Sequence, residues 1–127
     1  MKNKRIYRCI HCGNIITVVE ASGVNIVCCG EDMMELVANT TDAALEKHIP
    51  VIDLGGHVVN VKIGEIDHPM NSDHYIMWIY LETENGMQFK YFKPGDAPQL
   101  SFTLVDDKPL VVYAYCNLHG LWKKEIN

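Results

Sequence analysis

Two close pairs of cysteines lie within the first 29 residues, and they constrain this part of the chain more than any other feature. Cys9 and Cys12 form a Cys-x-x-Cys pair that Gly13 follows, and Cys28 and Cys29 are adjacent. Thiolates three positions apart on a tight turn converge on one point, so the two pairs predict a tetrahedral site for zinc or a single iron ion. Adjacent side chains point apart in an extended chain. Cys28 and Cys29 can therefore reach one metal only through a local distortion of the backbone.

The segment that carries these cysteines is too short to fold on apolar contacts alone. Its residue types predict short strands at 5–8, 14–20 and 24–28, separated by glycine-containing turns. About 36 residues cannot bury a self-sufficient hydrophobic core, so a bound metal would be needed to stabilise this segment. Four of the five cysteines precede residue 37 and five of the six histidines follow it. We therefore predict two domains, 1–37 and 38–127.

Other interpretations of the cysteines remain open. A Cys-x-x-Cys pair also occurs in redox disulfides, although no βαβ pattern surrounds this one. The cysteines could also be a buried structural pair with incidental neighbours. His11, inside the Cys-x-x-Cys turn, is an alternative ligand, and we expect it to face solvent instead.

The second segment predicts a β-sandwich. Residues 41–48 predict one or two helical turns with Thr41 or Asp42 as N-cap, ended by Pro50. Short strands rich in β-branched and aromatic residues follow, with turn residues between them. They are predicted at 51–54, 57–63, 75–83, 87–92, 100–105 and 110–116.

Four histidines and the fifth cysteine suggest a second metal site. The histidines lie at predicted element ends and in loops, where ligands concentrate: His48, His68, His74 and His119. Cys116 and His119 are three positions apart in a turn, so thiolate and imidazole can face one metal. Imidazoles with one thiolate suit a redox transition metal better than magnesium or calcium. We expect His57 to be an exposed residue at the start of a strand.

Charge and hydropathy exclude some classes of protein. The net charge is −5, and the whole excess lies in residues 37–127, with seven basic and twelve acidic side chains. Nucleic acid is an unsuitable partner because phosphate binding needs a basic face. No stretch approaches the roughly 18 apolar residues of a membrane span, and no apolar secretion core precedes Cys9. We therefore expect a cytoplasmic protein with no membrane association, where a reducing environment disfavours disulfides.

Seven motifs in order along the chain resemble the desulfoferrodoxins, which are two-domain superoxide reductases. They are Cys-x-x-Cys-Gly-Asn at 9–14, Cys-Cys-Gly-Glu-Asp-Met at 28–33, Asp-Ala-Ala-Leu-Glu-Lys-His-Ile-Pro at 42–50, His-Pro-Met at 68–70, His-Tyr-Ile at 74–76, Lys-Pro-Gly at 93–95 and Cys-Asn-Leu-His-Gly-Leu-Trp at 116–122.

The resemblance implies a mainly β chain with two iron ions. It implies a small rubredoxin-like N-terminal domain whose iron is held by Cys9, Cys12, Cys28 and Cys29. It further implies an immunoglobulin-like β-sandwich whose iron has four equatorial imidazoles and an axial thiolate, from His48, His68, His74, His119 and Cys116.

The implied activity is the one-electron reduction of superoxide to hydrogen peroxide, without formation of dioxygen. It would detoxify reactive oxygen in an anaerobic or microaerophilic cell. Lys47 would attract the anion and assist proton delivery, and Glu46 would occupy the open iron position in the oxidised state. The implied partners are a small electron-donor protein such as rubredoxin and a second copy of the chain in a homodimer.

Two other functions are compatible with the residues. A zinc-binding interaction module would leave the histidines incidental, although structural zinc takes four ligands and the second set offers five. A pure electron carrier would hold both irons without consuming superoxide.

Overall fold

The computed structural model describes residues 5–126. The chain forms two compact units, of which the first ends at Val37 and the second begins at Ala38. The regular secondary structure of both is antiparallel strand apart from one helical turn, so the predicted mainly β class is confirmed. In the described part of the chain, no helix has the length and apolar character needed to cross a membrane.

The first unit contains five very short strands. Strands β1 (Ile6–Arg8), β2 (Ile15–Thr17) and β5 (Met34–Glu35) form one sheet in the order β2-β1-β5. Strands β3 (Val27–Cys28) and β4 (Glu31–Asp32) form a separate hairpin. The strands predicted at 14–20 and 24–28 are shorter than expected, and β4 and β5 were not predicted. Cys28 ends β3, and the other three cysteines of this unit lie between strands.

The first unit has a very small apolar core. Among its described residues, the buried side chains are Ile6, Cys9 and Met33. Val19 and Val24 are both more than three-quarters exposed. So little apolar burial leaves the cysteine site as the main source of order.

The second unit is a sandwich of two sheets. Its elements are α1 (Leu45–His48), β6 (Pro50–Gly55), β7 (Val58–Ile63), β8 (Ile76–Thr83), β9 (Met87–Tyr91), β10 (Gln99–Thr103), β11 (Pro109–Cys116) and β12 (Gly120–Glu125). The sheet orders are β10-β7-β6 and β12-β11-β8-β9. Alternate residues of β7 and β10, such as Val61 and Phe102, pack against Ile79 and Val112 of the other sheet. This alternation follows from the period of two along a strand.

Two expectations about local structure were wrong. The helix is a single turn whose N-cap is Ala44, and no side chain caps it. Neither Thr41 nor Asp42 holds that position, since the helix begins two to three residues later than an N-cap at either residue would place it. Strand β12 was also missed, since its polar run Lys123 to Glu125 hides the strand pattern.

The single turn of α1 is held by the loop after β7. Gly64 donates its N–H to the Ile49 carbonyl at 3.1 Å, and Ile66 donates to the Glu46 carbonyl at 3.0 Å. Gly64 has φ +86°, and a Cβ there would lie 2.8 Å from both the Glu46 carbonyl oxygen and the Lys47 carbonyl carbon. Only glycine lets these two backbone segments approach so closely.

Candidate metal centres

The four early cysteines converge on one point in the first unit. Their sulfur atoms all lie within 4.8 Å of one another, and Cys12 Sγ is 3.7 Å from Cys28 Sγ. Thiolates bound tetrahedrally at about 2.3 Å from a metal have sulfurs about 3.8 Å apart. This group, called the cysteine cluster below (Cys9, Cys12, Cys28 and Cys29), therefore has the dimensions of a four-thiolate site, and all four thiols are free.

The backbone at Cys29 provides the distortion that adjacent cysteines need. Cys29 has φ +53°, a left-handed conformation that side chains other than glycine rarely adopt. It lies in the turn between β3 and β4, and Gly30 continues the turn with φ +78°. The rare conformation turns the Cys29 sulfur to the same side as that of Cys28.

Hydrogen bonds prepare the cysteine cluster for a cation. The Cys12 N–H, followed by that of His11, lowers the pKa of Cys9 to about 6. The neighbouring sulfurs, Cys12 first, raise the pKa of Cys29 to about 12. Four crowded thiols cannot all lose their protons without a compensating positive charge. A bound metal ion would supply it.

His11 is outside the cysteine cluster. Its side chain is 49% exposed, and Nε2 lies 2.7 Å from Glu31 Oε1. Residue 11 belongs to the first cysteine turn and residue 31 follows the second. The pair therefore links the two turns from outside without supplying a ligand.

Four histidines and Cys116 converge in the second unit. His48 ends α1, His68 lies in the loop after β7, and His74 lies just before β8. Cys116 ends β11, and His119 lies in the turn to β12. Ligand atoms of the first three histidines and of Cys116 all lie within 4.8 Å of one another. His119 Nδ1 lies 3.1 Å from His48 Nε2 and 3.8 Å from Cys116 Sγ. These five residues are called the histidine cluster below.

The four imidazole rings form a closed cycle. Each ring meets two neighbours, with centroids 4.7 Å apart for His48 and His68, 4.8 Å for His68 and His74, 5.1 Å for His74 and His119, and 4.9 Å for His119 and His48. All four interplanar angles lie between 74° and 88°. Each ring therefore meets the next edge to face, as four imidazoles around a single central ion would.

The arrangement of lone pairs on the ring nitrogens favours a bound cation. His48 Nδ1 and His68 Nδ1 each donate to a backbone carbonyl at 2.6 Å, those of Ala44 and Pro69. In the neutral rings, both Nε2 atoms therefore carry lone pairs, yet they lie only 3.2 Å apart. Within residues 5–126, the buried Nε2 of His74 has no hydrogen-bond partner. A metal ion between the rings would accept the lone pairs of His48 and His68 and would give His74 Nε2 a partner.

Burial keeps these imidazoles ready to bind a metal. It lowers the pKa of His68 to about 4 and also lowers the pKa values of His48 and His74. Since only the neutral ring offers a lone pair, a lowered pKa favours metal binding over protonation near neutral pH.

Cys116 is completely buried at 0% exposure. Burial raises the pKa of its thiol, while hydrogen bonds from the backbone N–H groups of Leu118 and His119 oppose that rise. These two N–H groups point at the sulfur and stabilise its thiolate form, as a metal-bound thiolate requires.

The residues around the histidine cluster occupy different positions. Lys47 is half-buried, and its charge adds to burial in lowering the pKa values of His48 and His74. Glu46 is exposed and lines a groove with Ile49 and other residues of α1, β6 and β12. Trp122 is fully buried and stacks on the His48 ring at 4.7 Å. His57 is exposed, as expected.

Two residues that contact this site were not singled out from the sequence. Asn117 makes hydrogen bonds to both neighbours of His74, and Gly64 contacts the turn that carries His48. The position of Asn117 between Cys116 and His119 was a signal that could have identified it. The contacts of Gly64 join segments distant in sequence and left no local signal.

Family models match both units of the chain. The model described as Desulfoferrodoxin matches residues 40–125, and the model described as Desulfoferrodoxin, N-terminal domain, matches residues 1–36. A desulfoferrodoxin of Nitratidesulfovibrio vulgaris is 48% identical over 120 residues, covering 94% of each chain. A superoxide reductase of Pyrococcus horikoshii is 33% identical over 112 residues, covering 74% of this chain and 97% of the relative.

Solved structures of superoxide reductases are also similar to this chain. A superoxide reductase from Treponema pallidum has 37% identity and a TM-score of 0.79, covering 94% of this chain and 98% of its own. A one-iron superoxide reductase from Giardia intestinalis has 34% identity and a TM-score of 0.56, covering 65% of this chain and 98% of its own.

Proposed function

The chain belongs to the desulfoferrodoxin family and is an oxidoreductase, and from that premise we propose that it reduces superoxide to hydrogen peroxide. Its two donor sets are those of the family's two iron centres. We propose the ligands residue by residue, with one iron in the cysteine cluster and one in the histidine cluster. The reaction takes one electron and two protons per superoxide and forms no dioxygen.

The observation that carries this proposal is the cycle of four imidazoles next to a buried thiol. Four imidazoles and one thiol would hold an iron that can still bind a small substrate, whereas the four thiols of the cysteine cluster would saturate theirs. Iron in the histidine cluster would supply the electron that superoxide takes up. The neutral imidazoles would hold the ion without adding negative charge, and the N–H groups of Leu118 and His119 favour the Cys116 thiolate against burial, which raises its pKa.

Lys47 is proposed to attract the substrate. The chain has a net charge of −5, with the whole excess in residues 37–127, so its general field repels an anion. A half-buried ammonium whose charge reaches His48 and His74 gives a local positive potential at the site. Its N–H groups can also hold a water molecule that delivers a proton to the product.

We propose that the Glu46 carboxylate would bind the iron of the histidine cluster when that iron is oxidised. Glu46 precedes Lys47 on the same helical turn as His48 and is exposed, so its side chain can reorient. In the structure, the Glu46 side chain lines a groove with Ile49. It would have to adopt a different rotamer to reach the histidine cluster.

The cysteine cluster is proposed to store and pass electrons. A four-thiolate iron has no position for superoxide, so it can take part only in electron transfer or in stabilising the first unit. A small donor protein such as rubredoxin would supply electrons. We further propose a homodimer in the cytoplasm, where detoxification of reactive oxygen is needed and where five free thiols would persist.

Metal analysis combined with stopped-flow mixing against superoxide tests the proposal. We expect two irons per chain, coloured when ferric, and consumption of superoxide with release of one peroxide per electron. A colourless zinc protein would support the interaction module instead. Two irons that titrate without consuming superoxide would identify an electron carrier.

A further inference from the structure

We propose that Asn117 is a positioning residue that fixes His74 in the histidine cluster. The proposal rests on the proposed function in that it concerns the same iron. It adds a residue that supplies no ligand atom, and it predicts that one side-chain amide controls how well this iron is held.

Asn117 binds both chain neighbours of His74. Its side-chain Oδ1 accepts the backbone N–H of Tyr75 at 2.9 Å, and its Nδ2 donates to the backbone carbonyl of Asp73 at 3.0 Å. A third bond joins the backbones, from the Asn117 N–H to the Tyr75 carbonyl at 3.2 Å. The loop that carries His74 is therefore fastened on both sides to the turn that carries Cys116 and His119.

His74 needs this support more than its neighbours do. The rings of His48 and His68 are each held at the outer nitrogen by a bond to a carbonyl. The buried Nε2 of His74 is the nitrogen left for the metal, and within residues 5–126 the outer Nδ1 of this ring has no such bond to a carbonyl. Besides Asn117, its backbone is held through the short bridge to Asn71, with bonds of 2.9 and 3.2 Å. The direction of the His74 ring therefore depends on the peptide units that Asn117 binds.

The amide is suited to this task because it both donates and accepts. Tyr75 presents an N–H and Asp73 presents a carbonyl, so one side chain must satisfy both. Alanine at position 117 would lose both side-chain bonds. Aspartate would keep the acceptor for Tyr75 and place a negative oxygen against the Asp73 carbonyl. The two substitutions therefore form a graded series.

The test compares Asn117→Ala and Asn117→Asp with the native chain, all loaded with iron. Outer-shell contacts of this type change metal affinity by about 10- to 100-fold. We expect the iron affinity of the histidine cluster to fall within that range for Asn117→Ala and by less for Asn117→Asp. The absorption band of the Cys116 thiolate and ferric iron should shift, while the absorption of the cysteine cluster stays unchanged as an internal reference.

Asn39 provides a matched control in the same unit. Its Oδ1 accepts the Lys123 N–H at 2.9 Å and its Nδ2 donates to the Lys123 carbonyl at 3.3 Å. Asn39→Asp thus changes the same pair of bonds at a residue that contacts no proposed ligand. It should lower the melting temperature while leaving the thiolate band and the iron affinity unchanged.

Two results would overturn the proposal. One is an Asn117→Ala protein whose affinity and thiolate band match those of the native chain. The other is an equal change in Asn39→Asp, since general destabilisation would then explain both. If Asn117→Ala does not fold, Asn117→Asp gives the same readouts. A native protein that binds two irons and ignores superoxide would refute the proposed function while leaving the affinity comparison valid.

Discussion

At the scale of single residues, the two nitrogens of an imidazole in the histidine cluster have different partners. His48 and His68 each donate one N–H to a carbonyl, which fixes the tautomer and turns the other nitrogen inward. His119 presents Nδ1 instead. The sequence alone cannot show which nitrogen faces the metal, because that choice depends on carbonyls supplied by the local fold.

Lys47→Ala should slow the capture of superoxide. Removing the ammonium removes the local attraction for an anion, and steering of this type raises association rates by roughly 10-fold or more. The rate should fall and depend less on ionic strength in stopped-flow measurements. Lys108→Ala makes the same change in net charge about 25 Å along β11 from Cys116. A rate that falls equally in both variants, or in neither, would contradict local steering by Lys47.

Asp107→Asn should weaken the second unit in a way that depends on pH. The Thr83 hydroxyl and then the N–H groups of Lys108 and Asn85 lower the pKa of Asp107 below 3.8. The ionised carboxylate therefore contributes stability above pH 3.8, and this contribution is lost as the pH falls through the folded value. The variant should melt below the native protein at pH 7, and the difference should shrink as the pH falls below 3.8. A constant difference across that range would contradict the charge effect.

At the scale of elements, three segments build the histidine cluster, namely α1, the connection from β7 to β8, and the end of β11 with its turn to β12, and backbone contacts hold them. The turn α1 carries His48, and the loop after β7 both contacts α1 and carries His68. The histidine cluster therefore depends on how closely these two segments approach at Gly64. A one-turn helix without a side-chain cap has little stability of its own.

Gly64→Ala should separate α1 from this loop. The new Cβ would lie 2.5 Å from the Ile66 carbonyl oxygen as well as close to Glu46 and Lys47. We expect loss of iron from the histidine cluster, measured by its thiolate absorption. We also expect the free energy of unfolding to fall by more than the cost of placing alanine at a positive φ. Gly56→Ala is the matched control, because Gly56 also has positive φ and has nothing within 4 Å of its Cβ. That control should lose about 1–2 kcal/mol and keep its iron; equal iron loss in both variants would count against the steric explanation.

The sequence predicted the metal clusters better than it predicted the elements that hold them. Cysteine spacing and ordered motifs identified the family, which is confirmed, and the alternation of Val59 and Val61 with polar neighbours identified β7. The N-cap at Ala44 was missed because no side chain caps α1, so the good capping residues Thr41 and Asp42 do not mark its start. The contacts of Asn117 and Gly64 join segments that are distant in sequence, so no local sequence pattern predicts these contacts.

At the scale of the whole molecule, each unit contains all the side chains of one cluster. Residues of the cysteine cluster lie before Val37, and residues of the histidine cluster lie after Ala38. Each cluster is built only from side chains of its own unit. Loss of a ligand residue from one cluster should therefore leave metal binding by the other cluster unchanged.

Cys12→Ser should therefore affect the first unit alone. Metal bound by the cysteine cluster should be lost or altered, while superoxide reduction remains close to that of the native chain when electrons come from a chemical reductant. Cys116→Ser should do the reverse. Absorption spectra and stopped-flow rates measure both effects. Loss of turnover in Cys12→Ser with the histidine cluster still loaded would show that the first iron is required.

The spread of ligands along the chain also sets an order of events during synthesis. The cysteine cluster is complete at residue 29, whereas the bond partners His48 and His119 are 71 positions apart. A ribosome that adds roughly 5 to 20 residues per second needs on the order of ten seconds to pass from Cys29 to His119. During that interval the nascent chain offers iron a finished thiolate site and an unfinished imidazole one. The ligands of the first site are therefore all synthesised well before translation has supplied the last ligand of the second.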